Sequence, residues 1–413
     1  MSNRRLLIGA AALGVALFNT VSSSGQNAAP RGGGALDERP EIQYATHPTT
    51  DRVAKLNEQV QNGRALPRDS RTGYLRAVLD ALGVPVESQL LVFSKTGVQR
   101  AYTNPHNPRA LYYDQSVVVG YAPGAPLIEI AAHDPRQGVV FYTLDQAAAS
   151  PAMVRRTSCL TCHVSPGTLG VPGLIARSHV VGEDGNVVAQ TRARDVDHHT
   201  SHPDRWGGWF VTSEGAPPPY SQLGHLGNIT FSGKGNTSNQ VFVDWLNSAP
   251  ETRGYLSAFS DIAGLLVFDH QARAINLLTR LNWESRLLPG AVPPLAGELA
   301  DYLLFAGEAP PSAPLTPRPE FAASLESKVP RDHLGRSFGQ LDLVTRLLRY
   351  PCSYMVYSEA FDALPPTVKQ AVYARMLDVL SRQEPDAARA RATADDRRAI
   401  VEILRETKPD FPR

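Results

Sequence analysis

Five short runs rich in β-branched and aromatic residues constrain this chain most: 90–93, 110–113, 117–121, 127–131 and 139–142. Turn pairs separate them, among them Asn104-Pro105, Asn107-Pro108, Pro123-Gly124 and Asp134-Pro135. Runs of this length, bounded by Asn, Asp, Gly and Pro, read as strands. No helical stretch lies between them, so the connections lack the crossover helix that parallel strands usually need. The sheet therefore reads as antiparallel. A further hairpin is expected where residues 177–181 and 186–190 flank Glu183-Asp184-Gly185.

The periodicity changes on either side of this sheet. Residues 50–61 look helical and stop at Gly63, and a second helix carries Leu75, Val78, Leu79 and Leu82 on one face. Thr72 is placed to cap it and Gly83 to end it. Beyond Asp244 the pattern is helical over 257–286, 295–306, 338–349, 367–382 and 394–406. Thr393 and Asp396 resemble a capping box on the last. Proline-rich connectors separate several of these helices. The fold class is α+β: an antiparallel β-rich N-terminal half and a helical C-terminal half.

The N-terminus reads as an export signal. Arg4-Arg5 is a basic start, 6–18 is an apolar run, and 19–24 is small and polar. The run is short for a membrane span. The alternative is an uncleaved anchor. No cysteine follows the run, which argues against lipoprotein processing. The chain then divides into a signal peptide (1–25), a tether and first helix (26–65), a β-rich region (66–150), a central region (151–290) and a helical region (291–413). The expected location is the bacterial periplasm or cell exterior, with no membrane span after signal cleavage.

Forty-one basic and 40 acidic side chains leave a net charge of +1, which gives no argument for nucleic acid as a partner. Three cysteines do not make a disulfide framework. Two of them stand in Cys159-Leu160-Thr161-Cys162-His163, the attachment signature of a c-type haem. Each thiol can form a thioether with one vinyl group of the porphyrin, and the adjacent histidine can reach the iron. Two alternatives share the spacing. A redox dithiol wants a strand-to-helix setting, whereas a loop rich in Gly and Pro follows here. Zinc wants four ligands, and the remaining cysteine, Cys352, is remote and sits in an aromatic segment that suits a buried thiol. A zinc site completed by histidines stays open.

A haem at this motif makes Cys159 and Cys162 its anchors and His163 its proximal ligand. The occupant of the other axial position separates electron transfer from catalysis. The four methionines are poor candidates: Met1 leaves with the signal, and Met376 lies on an apolar stripe. Histidines are better placed. His270 lies on the long helix in line with Leu266, Ala274 and Leu277. It is the leading distal candidate, against the alternative of a hydrogen-bonded core residue. His198, His199 and His202 form a cluster ahead of Arg205-Trp206-Gly207-Gly208-Trp209. That cluster is either a polar loop or a source of a ligand or proton donor. The two glycines would let backbone pass close to a flat macrocycle, although strand packing accounts for them equally. His225, flanked by glycines, is a further candidate. Arg273 and Arg280 could meet haem carboxylates.

The segments 91–96, 108–112, 158–163, 205–209 and 269–271, read together, resemble a group of uncharacterised exported bacterial cytochrome c domain-containing proteins. The resemblance implies one covalently attached haem c and electron transfer, with roles for Cys159, Cys162 and His163. It implies a redox partner protein and carries no established activity. The expectation is an exported mono-haem c-type electron-transfer protein. The alternative is a haem enzyme, peroxidase- or oxygenase-like, with an open distal site. The length of the chain and the histidine cluster support that alternative.

Overall fold

The computed structural model describes residues 36–182, 184–189, 191–212, 254–382 and 392–413. The expected signal segment, much of the tether, His225 and parts of the expected hairpin (Glu183 and residue 190) lie outside the described residues. Helix α1 (Arg52–Gln61) starts where the Asp51 carboxylate accepts from the Val53 and Ala54 amides. Helix α2 (Leu75–Leu82) buries the expected apolar face and ends at Gly83, whose φ of 65° favours glycine. Thr72 is not its cap. Its hydroxyl and amide bond Asp69, and Tyr74 holds the cap position without a side-chain bond.

The sheet follows. Strands β1 (Leu90–Val92), β2 (Arg109–Tyr113), β3 (Val117–Tyr121), β4 (Leu127–Asp134), β5 (Gly138–Asp145) and β6 (Met153–Arg155) form a meander. Strands β7 (Arg177–Ser178) and β8 (Arg194–Asp195) make a separate two-stranded ribbon. Strand β9 (Trp209–Phe210) returns to pair with β1. The main sheet runs β6-β5-β4-β3-β2-β1-β9 with every pair antiparallel. Residues 177–181 therefore serve two pairings. Their start joins β8, while Val181 pairs with Val187 across the turn at Gly185.

Register assigns the two faces of the sheet. Tyr112, Val119, Ile130 and Tyr142 share one row, and Tyr113, Val118, Ala131 and Phe141 share the next row on the opposite face. The first face receives α1: Tyr142 donates to the Asp51 carboxylate at 2.6 Å. The second receives the long helix α4 (Ile262–Leu287). Tyr113 donates to the Gly264 carbonyl at 2.6 Å, and its ring meets Phe268 edge-on at 5.1 Å. Helix α4 is buried nearly all round, as a central core element should be. Leu265, Leu277, Leu278 and Leu281 are at most 1% exposed, each worth about 1.5–3 kcal/mol of burial.

The helical half continues with α5 (Leu295–Leu303), α6 (Pro319–Ser327), α7 (Glu359–Asp362), α8 (Pro366–Ser381) and α9 (Ala394–Thr407). The Thr393–Asp396 capping box is present on α9. The helix expected over 338–349 does not form. The Asp342 side chain captures the Val344 and Thr345 amides, Leu343 turns left-handed at φ 59°, and Leu341 pairs with Leu348. A short polar side chain has here offered the backbone a turn in place of a helix. Helix α6 escapes the sequence pattern because it starts on Pro319, at the first helical position, where proline costs nothing.

Candidate functional site

The motif leaves the sheet at its β6 edge. Arg156 fixes the exit, its amide bonding the Phe141 carbonyl and its guanidinium bonding Thr143 Oγ1 at 2.8 Å. One turn of 3-10 helix (Thr157–Cys159) runs into the short helix α3 (Leu160–His163). Residues three and four apart on such a turn face the same way. Cys159, Cys162 and His163 therefore share one side. The three cysteines of the chain are free: Cys162 is exposed, Cys159 partly buried and Cys352 fully buried. Burial, followed by the nearby Glu129 carboxylate, pushes the Cys159 thiol up to about 11. Burial pushes the Cys352 thiol up also.

His163 is held by a clasp. Its Nδ1 lies 2.9 Å from the Gly173 carbonyl oxygen, and its own carbonyl accepts from the Gly173 amide at 3.1 Å. A carbonyl can only accept, so Nδ1 carries the proton and Nε2 keeps its lone pair. Nε2 makes no hydrogen bond to any described residue. The ring packs on Phe141, centroid to centroid 4.5 Å. Burial holds its pKa below the ordinary histidine value, so it is neutral near pH 7. The loop between the two ends of the clasp is itself pinned. Ser165 and Thr168 form a capping box, Arg280 donates to the Leu169 carbonyl, and Asn276 bonds both the amide and carbonyl of Leu174.

The second histidine group lies deeper. His198 Nδ1 is 2.8 Å from His270 Nδ1, His270 Nε2 is 2.7 Å from Ser353 Oγ, and His198 Nε2 is 3.2 Å from His199 Nε2. His199 reaches the Ala306 carbonyl through Nε2 and the Asp197 carboxylate through Nδ1. One proton arrangement satisfies all of these. His199 donates from both nitrogens, His198 accepts at Nε2 and donates from Nδ1, and His270 donates from Nε2. The hydrogen bond to Asp197 raises the His199 pKa. Burial lowers His198 well below its ordinary value and takes His270 to about 3. Tyr302 stacks on His198 and His270 at 4.1 and 5.0 Å.

His270 thus has no free ring nitrogen. The geometry gives it the role of a hydrogen-bonded core residue, and no hydrogen bond or ring contact joins it to His163. His202, 2% exposed, stands against Trp206 and is held near 3 by burial. The Trp-Gly-Gly-Trp segment also serves packing. Trp206 and Arg205 both donate to the buried Asp269 carboxylate, and burial pushes that group up to about 7. Gly208, at φ 84°, passes so close to Ser94 that an added Cβ would lie 2.6 Å from the Ser94 Cβ. The close approach that needs glycine is therefore to the bend that follows β1.

Beside the motif loop is a cavity of about 310 Å³, lined by Pro166, Gly167, Leu174, Asp195, Asp197 and Arg273 among others. Arg273 pairs with Glu298 at 3.3 Å and Arg280 with Glu284 at 2.7 Å. Among the described residues, no group of three His, Cys, Asp or Glu side chains is placed to hold a metal ion. A zinc site assembled around the Cys pair therefore lacks its remaining ligands there. A haem asks less of the protein: two thiols and one imidazole on one face, with the imidazole's outer nitrogen free. Cys159, Cys162 and His163 fit that demand. Sequence reasoning missed Gly173 and Phe141, because neither residue type signals a haem. Only the return of the loop brings Gly173 onto the His163 ring.

No family model, no curated protein and no solved structure matches this chain.

Proposed function

We propose that this chain is an exported mono-haem c-type protein that transfers electrons to and from a redox partner protein. Cys159 and Cys162 would hold the porphyrin through thioethers, and His163 would be the axial ligand. Bound there, the haem supplies a one-electron couple between ferrous and ferric iron. The observation that carries the reading is the 2.9 Å bond from His163 Nδ1 to the Gly173 carbonyl. Metal-binding histidines characteristically donate their other ring N–H to such an acceptor, which fixes the tautomer and the ring orientation. The export signal read in 1–25 fits this chemistry, since c-type haem is attached after export.

The cavity beside the motif loop favours a second reading, a haem enzyme with an open distal position. Its wall includes Asp197, which accepts from the half-exposed His199. Two experiments test the pair. A Cys159→Ala, Cys162→Ala double variant, matured beside the wild type with the attachment machinery, should lose haem staining on a denaturing gel. Staining that persists refutes covalent attachment. For the wild type, a low-spin spectrum indifferent to carbon monoxide and cyanide supports electron transfer. A high-spin spectrum that shifts with either supports the enzyme.

A further inference from the structure

Two imidazoles and a main-chain carbonyl converge at the outer end of the buried histidine chain. His198 Nε2 and His199 Nε2 stand 3.2 Å apart, and the Ala306 carbonyl oxygen lies 2.9 Å from His199 Nε2. The same carbonyl is within hydrogen-bonding reach of His198. Two segments make this meeting. A turn closed by the Thr200 amide on the Asp197 carbonyl, at 3.1 Å, presents the two rings. Phe305, left-handed at φ 54°, takes the chain out of α5 and into the turn that carries Ala306. The Ala309 amide then bonds the His198 carbonyl at 2.8 Å and ties the segments together. No side chain at Gly307 crowds the spot, where an added Cβ would lie 3.5 Å from His199 Nε2.

Each ring gives its other nitrogen to an acceptor. His199 Nδ1 lies 3.3 Å from the Asp197 carboxylate. His198 Nδ1 lies 2.8 Å from His270 Nδ1, and His270 Nε2 passes on to Ser353 Oγ at 2.7 Å. With both Nδ1 protons so committed, three lone-pair atoms face one point, and a single proton on His199 holds them together. A carboxylate or imidazole behind each ring is the support that metal-binding histidines use. The spacing fits as well. Ligand atoms 2.0–2.1 Å from a zinc ion, at angles of about 90–109°, stand about 2.9–3.4 Å apart. The distances of 3.2 and 2.9 Å fall in that range. Burial keeps His198 neutral, so its Nε2 lone pair is available.

We propose that His198 Nε2, His199 Nε2 and the Ala306 carbonyl oxygen bind a zinc ion, which takes the place of the shared proton. Only two of these ligands are side chains. That agrees with the absence of any three-side-chain metal group among the described residues. Two imidazoles and an oxygen, with no thiolate, suit zinc. Three protein ligands leave the fourth position of a tetrahedral ion to water. The His199 side chain is 46% exposed, so that position meets solvent and could exchange its water for the oxygen of a small ligand. Asp197 is a positioning residue here, since it acts on the metal through His199. The site shares no residue with the Cys159–His163 motif and stands whether or not haem is attached there.

The full chain is titrated with Zn²⁺ by calorimetry in two forms. One is matured with haem, and the other carries Cys159→Ala and Cys162→Ala, so that no exposed thiolate competes. Each should bind one Zn²⁺ with micromolar or tighter affinity. His199→Ala removes a ligand at a half-exposed position and should weaken that event by about 100-fold or more. Asp197→Asn keeps all three ligands, loses the charge behind His199 and should weaken it by about 10-fold or more. Far-UV circular dichroism reads the fold of every protein. If His199→Ala loses its fold, Asp197→Asn decides alone. A failure of both forms to bind Zn²⁺ at micromolar concentrations overturns the site. Binding that is equally tight in the folded variants places the ion elsewhere and overturns it too.

Discussion

Acid should weaken this protein through a histidine far from any motif. His133, on β4, is 5% exposed, and its Nδ1 is buried without a hydrogen-bond partner. Burial lowers its pKa from 6.5 to about 4, with Asp134 opposing the shift. The unfolded chain therefore binds a proton between these values that the folded chain refuses. Stability from this group is whole above pH 6.5 and is lost as the pH falls toward 4. At 1.36 kcal/mol per unit, the full loss is about 3 kcal/mol, and about 2 kcal/mol of it is spent between pH 8 and pH 5. His133→Leu has similar volume and cannot titrate. Urea unfolding followed by circular dichroism at pH 8 and pH 5 gives the two stabilities of each protein. The wild type should lose about 2 kcal/mol more than the variant over that range. Equal losses would mean that His133 titrates alike folded and unfolded, and the reasoning from burial would fail. His202 and His270, both held near 3, act in the same direction in both proteins and cancel in the comparison.

Three substitutions examine the site itself. Asp269→Asn, compared at pH 9 where the wild-type carboxylate is ionised, leaves Arg205 charged and buried beside a neutral partner, so it should cost about 3–5 kcal/mol in urea unfolding; a loss under 1 kcal/mol would contradict the pairing. His270→Phe keeps the stacking on Tyr302 but strands Ser353 and His198, at about 1–3 kcal/mol for each unsatisfied group. Its haem spectrum should match the wild type, and conversion to a high-spin form would restore His270 as a ligand. Gly173→Ala would set a Cβ 2.2 Å from Asn276 Oδ1 and push the carbonyl away from His163. The iron's absorption bands should shift with covalent attachment intact, and an unchanged spectrum would show that the clasp does not tune the ligand.

Much of the fold was legible because each local signal agreed with its neighbours. The five strand runs match β1 to β5 within a few residues, since short β-branched runs between Asn-Pro and Asp-Pro pairs have few other uses. The long helix was legible from its apolar positions, and its Asp261 cap places the start. Residues 338–349 were not legible. Their apolar spacing suits a helix, and only the Asp342 side chain turning back on its own backbone decides otherwise. At the site, the sequence named Cys159, Cys162 and His163 but could not supply Gly173 or Phe141. These two come from other segments, and neither residue type marks a haem. His270 was singled out for an imidazole on an apolar stripe. A pattern cannot tell whether such a ring meets a metal or another imidazole, and here it meets His198.

The mass of the intact polypeptide tests the central claim most directly. The chain, matured with the attachment machinery and then denatured in acid, should weigh one haem more than its bare sequence. That excess should vanish when Cys159 and Cys162 are both alanine. A denatured wild type with the mass of the polypeptide alone would contradict covalent haem at this motif.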